Sequence, residues 1–205
     1  PGRINMKDGS VNLFPSSMQD GLVYRSTIDK KLLEARKDIP QKINALLPEG
    51  IVGESYTKWA LDACQNIERK ILEKENMIFL DINEVVTEYL LQVLKNKDHV
   101  LHKIFFDSAT RAEFEKAFPE ETIFYFPVMN GKYEKTENLV LTGKSLESKS
   151  KTIQLYEPET LIAELETGRL CPALVTSFLS VAFLNQFKCF GSFAQVEYLP
   201  MYQKK

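Results

Sequence analysis

The hydrophobic positions of this 205-residue chain follow two periods: helical through the first half, strand-like with interposed helices through much of the second. Residues 1–20 are polar, with scattered Gly, Pro, Ser and Asn, and read as an extended arm or loop. Residues 22–28 suit a first strand. Asp29 then stands as N-cap of a helix carrying Leu32, Ile39, Ile43 and Leu46, which Pro40 should break or restart as the first helical residue. The next helix starts from a Ser55 cap and runs to about Glu75, with Tyr56, Ala60, Ala63, Cys64, Ile67 and Ile71 on one face. Residues 77–82 read as a buried strand or a link. Asn83 caps a helix whose inner face is Val86, Tyr89, Leu90, Val93 and Leu94.

In residues 99–106, Val100, Leu101, Ile104 and Phe105 have helical spacing, yet residues 104–106 suit a strand equally well. Ser108 opens a short helix, with Thr110 and Glu113 at capping-box spacing and Phe114 and Phe118 buried together. Residues 122–129 are aromatic and β-branched and predict a strand. Asn130-Gly131 then predicts a hairpin turn, with the return strand from Lys132 and a further strand at 139–141. Residues 143–151 read as an exposed loop and 152–156 as a strand. Pro158 and Gly168 bracket a helix containing Leu161, Ile162 and Leu165. Residues 193–199 read as a closing strand with Ala194, Val196 and Tyr198 on one face.

Leu170 to Phe187 carries no formal charge. As a helix this 18-residue run would be roughly 27 Å long, close to the thickness of a bilayer core, with Pro172 placed to start it. Thr176, Ser177, Ser180, Asn185 and Gln186 argue instead for a central helix of a globular core, with a partner-binding surface as the alternative. The fold class expected is therefore α+β: helices packed on a mainly antiparallel sheet, with a central apolar helix near residues 172–188, in one domain spanning 1–205. No membrane span is expected. Eleven of the 13 phenylalanines lie at or after Phe105, enough to fill a core or to wall an apolar pocket beside that helix, with Phe183 on its stripe.

Composition narrows the chemistry. The nine glycines form no G-x-G-x-x-G or Walker-type loop, so no Gly-rich nucleotide-binding motif is present and no cofactor is indicated. A net charge of -2 gives no cationic footprint for nucleic acid. Two histidines and three widely spaced cysteines supply no recognisable metal-ligand set. Unpaired thiols suit a reducing compartment and a cytoplasmic protein.

The candidate catalytic residues are Cys171 and His99. Cys171 precedes Pro172, so the start of the apolar helix and Arg169 are placed to favour its thiolate, whereas Cys189 sits at the unfavourable end. Cys64 reads as packing. His99 and His102, three apart, suit a proton-transfer pair or, without a second ligand pair to complete it, half of a metal site, with His102 the less buried of the two. Gln195 and Glu197 share one strand face and suit a ligand's polar end, and Arg25 suits a carboxylate or phosphate. Two readings follow. One is a soluble enzyme domain acting on a small, partly apolar substrate by group transfer. The other is a noncatalytic interaction module or assembly subunit, motivated by the lack of a complete catalytic set.

Overall fold

The computed structural model describes residues 3–6, 9–12, 27–28, 30–73, 78–130, 133–188 and 199–204. It forms two compact units, one of Pro1–Asp81 with Met129–Lys135 and one of Ile82–Val128 with Thr136–Lys205.

In the first unit, β1 (Arg3–Met6) and β2 (Gly9–Asn12) pair antiparallel within the segment read as an arm. Helix α1 (Lys30–Ala35) passes through a 3-10 turn into α2 (Gln41–Asn44). Pro40 restarts the helix, one position earlier than expected, as the N-cap of α2. Helix α3 (Tyr56–Leu72) begins at Ser55, whose side chain accepts the Lys58 N–H. Its inner face buries Tyr56, Trp59, Ala60 and Ala63 against Ile28 and Leu47. The Trp59 indole donates to the Pro48 carbonyl at 3.0 Å, so its one polar atom is satisfied. Gly50 lies beneath this ring, where a Cβ would stand 3.0 Å from Leu33 and 3.3 Å from the indole nitrogen. The apolar stripe outruns this core: Ile71, assigned to the inner face by periodicity, is exposed.

The second unit is helices on an antiparallel five-stranded sheet, the α+β arrangement expected. The strands are β3 (Thr122–Asn130), β4 (Tyr133–Thr142), β5 (Ser145–Glu147), β6 (Thr152–Gln154) and β7 (Cys171–Pro172), in the order β6-β5-β4-β3-β7. The Asn130-Gly131 signal falls where β3 gives way to β4, although residues 131 and 132 lie outside the described residues. β4 runs unbroken through the 139–141 segment expected to be separate.

The polar stretch 143–151 is not wholly an exposed loop. Leu146 is fully buried and faces Leu141 and Ile153 across β5. The serines make the turn that follows. Glu137 accepts from the Ser148 and Ser150 hydroxyls at 2.7 and 2.9 Å and from the Ser150 N–H at 2.9 Å. These bonds hold the Glu137 carboxyl below the usual range.

Helix α4 (Ile82–Val93) packs against α5 (Val100–Phe106), α7 (Pro158–Glu166), β7 and α8 (Leu174–Phe178). Val86 and Leu90 on α4, and Leu94 just beyond it, are fully buried. Asn83 is the second residue of α4 rather than its cap, and residues 78–81 are the link. Helix α6 (Ser108–Ala117) is capped by Asp107, and Phe114 stacks on Phe118 at 5.0 Å.

The apolar helix is shorter than its uncharged sequence. Cys171 and Pro172 pair with Tyr125 and Phe124 on β3, and α8 starts only at Leu174. A residue before proline is driven to extended backbone, which suits a strand. A π-turn over Leu179–Phe183 then ends the helix: the Leu184 N–H reaches back to Leu179, the Asn185 amide donates to the Ser180 carbonyl, and Gln186 takes a positive φ. Residues 184–188 are exposed. The closing strand at 193–199 lies outside the described residues except for Leu199, which is helical with residues 200–203.

Candidate functional site

Cys171 is buried on β7, and its thiol donates to the Asn83 Oδ1 at 3.3 Å and, more weakly, to the Pro172 carbonyl at 3.8 Å. Asn83 lies in the first turn of α4. The thiol is therefore next to a helix N-terminus, but not that of the helix following Pro172. Two effects oppose each other there. The helix dipole favours thiolate, while the two carbonyl oxygens accept from the S–H and favour the thiol. Arg169 is not the cation of this site: its Nε stands 2.8 Å from the Glu164 carboxylate. Opposite Cys171 on β3, burial, then Cys171 and then Glu121 push the Tyr125 phenol up. The Cys171 thiol thus stands across the strand pair from a phenol that burial holds in its neutral form.

His99 is the N-cap of α5. Its Nδ1 accepts the Leu101 N–H at 3.2 Å, and its Nε2 lies 3.1 Å from the Tyr89 hydroxyl. An accepting Nδ1 makes the neutral ring an Nε2–H donor to Tyr89. Burial pulls its pKa down. The Nδ1 bond thus caps α5, and the Nε2 bond ties it to α4. His102 is buried, contrary to the expectation from its neighbour Lys103. Its Nδ1–H donates to the Leu94 carbonyl at 2.6 Å, and its ring packs 5.0 Å from Phe106. The Leu94 carbonyl comes just after α4 and needs a donor, which is why the ring turns inward.

No contact joins His99 to Cys171. Asn83 and Tyr89, their respective partners, are separated by about 9 Å of rise along α4. Phe183 is half-buried at the end of the π-turn and packs against the core. Arg25, Gln195 and Glu197 lie outside the described residues. Cys64 is half-buried on α3, and burial, then Glu68, push its thiol up.

Three polar groups absent from the site expectations are buried or central. Asn83, expected only as a helix cap, carries no sequence signal of its contact with Cys171, which is 88 residues away. Glu164 and Arg111 do carry a signal. Glu164 lies between Leu161 and Leu165 on the inner face of α7, and Arg111 falls on the Phe114–Phe118 stripe of α6. Lys151 reaches Glu164 at 3.6 Å while lying 5.3 Å over the Phe126 ring.

Among the described residues no group of three or more His, Cys, Asp and Glu is placed to hold a metal ion. No described helix is long and apolar enough to cross a membrane. No protein-family model, curated protein or solved structure matches the chain.

Proposed function

We propose that the chain is a noncatalytic protein-interaction module whose contact surface includes the end of α3 and the segment after it. One observation carries this reading. Ile71, Leu72, Ile78 and Leu80 are 70%, 51%, 84% and 66% exposed, four large aliphatic side chains within ten residues. Single exposed aliphatics are ordinary, but a concentration of this kind marks a surface that another protein's apolar side chains cover. The histidines support the same reading, because both serve as helix ties.

The test is site-specific photo-crosslinking in cells from positions 78 and 80, with exposed Glu68 on α3 as control position. A discrete crosslinked product from 78 and 80, absent from 68 and lost when Ile71 and Leu72 are both changed to Ser, supports the reading. No discrete product from either position overturns it.

A second reading is favoured by one specific observation, the Cys171 thiol against the first turn of α4. It is an enzyme domain that transfers a group to or from a small, partly apolar substrate, with Cys171 as nucleophile. Modification of Cys171 in the folded protein by a small electrophile, faster than that of a free peptide thiol, is its test. Protection until unfolding rules it out.

A further inference from the structure

Arg111, the fourth residue of α6, is 5% exposed. Its guanidinium is a cation that presents five N–H donors. Among the described residues it makes one side-chain hydrogen bond, from Nη2 to the Phe105 carbonyl, and its Nε is buried without an acceptor. The carboxylates one helical turn away on either side are committed elsewhere. Asp107 accepts from the Thr110 N–H and hydroxyl, both at 2.8 Å. Glu115 accepts from the Gly143 N–H at 2.7 Å. Neither ion pair found among the described residues involves Arg111.

The Phe105 carbonyl belongs to the last turn of α5, the negative end of that helix. A partial charge of about one half does not balance a full cation. Glu164 shows the contrast: it is a buried carboxylate of the same unit, and two cations, Lys151 and Arg169, face it. A buried charge is retained when something neutralises it.

We infer that Arg111 is the receptor of a small oxyanion, a carboxylate or a phosphate, held at the α5–α6 corner by charge-assisted bonds from the terminal N–H groups that the Phe105 carbonyl leaves free. The ligand is small because so little of Arg111 is open to solvent, and oxyanionic because the guanidinium fork matches two oxygens of one group.

The test uses the whole chain, following the Arg111 Nε–H resonance by NMR during titration with inorganic phosphate and, separately, with acetate, at ionic strength held constant with sodium chloride. The expected result is a saturable shift with at least one probe. Tighter binding of phosphate assigns a phosphate-bearing ligand, and tighter binding of acetate a carboxylate. Arg111→Lys keeps the charge but loses the fork, and should weaken binding about tenfold or more, as read in both proteins from the backbone amide resonances of α5 and α6. Arg111→Met should abolish any rise in thermal midpoint caused by the bound probe. No saturable shift of the wild-type resonance with either probe overturns the inference, as does undiminished affinity in Arg111→Lys. Both remain readable if Arg111→Met fails to fold.

Discussion

The Sγ of Cys171 lies 3.3 Å from the Oδ1 of Asn83, a contact that closes 88 residues of chain. It joins β7 to the first turn of α4 and sets the chemistry of the thiol. The neighbourhood of a helix N-terminus, expected from Pro172, is present but is supplied by a different helix. The Asn83 carbonyl then uses the thiol as a donor, which works against ionisation.

Cys171 should resist alkylation in the folded protein and react only as the chain unfolds, as read by mass mapping of the peptide that contains it. Asn83→Ala removes the acceptor and should lower stability by about 1 kcal/mol in urea titrations. If Cys171 labels in the native state as fast as a free peptide thiol, the buried, hydrogen-bonded thiol described above is wrong.

His99 makes stability depend on pH. Burial lowers its pKa in the folded state below about 6.5, the value it regains on unfolding. Between those two values the unfolded chain binds more protons, so stability rises with pH. The contribution is complete above about pH 6.5 and is lost as pH falls through the folded-state value. Protonation of Nδ1 would also cost α5 its cap. His99→Asn keeps a capping side chain without a titrating group, so its unfolding midpoint should fall less than the wild type's between about pH 8 and about pH 5. His99→Ala should lose about 1 kcal/mol even at the higher pH.

Leu146 and Lys149 lie three residues apart in a stretch that is polar by composition, and they should respond very differently. Leu146→Ala opens a cavity between β4 and β6 and should cost about 2–5 kcal/mol. Lys149→Ala, at an exposed turn position, should change stability by less than about 0.5 kcal/mol. Equal effects in chemical denaturation would mean that β5 is not part of the sheet.

Gly168 follows the Thr167 C-cap of α7 with φ 60°, and its N–H donates to the Leu165 carbonyl. Only glycine adopts that backbone without strain, so Gly168→Ala should lower the thermal stability by about 1 kcal/mol. An unchanged melting temperature would show that α7 ends differently.

The sequence by itself determined the features that are local. Ser55 caps α3 and Pro158 opens α7 because the residues involved lie within one helical turn of each other. Phe114 and Phe118 meet for the same reason, and the Asn130-Gly131 signal falls where β3 gives way to β4. Of the candidate site, the helix beside Cys171 was not legible: Pro172 pointed to the helix that follows it, whereas the N-terminus next to the thiol is that of α4. The tertiary structure alone decided that Pro172 joins β3 and leaves the helix to begin at Leu174, that Leu146 is core, that His102 turns inward to the Leu94 carbonyl, and that Arg169 serves Glu164 rather than the thiol. Each of these depends on a hydrogen-bond or charge partner that the fold brings close, and such partners leave no periodic trace in the sequence. A hydrophobic period records which face is buried, but not what the buried polar groups will find there.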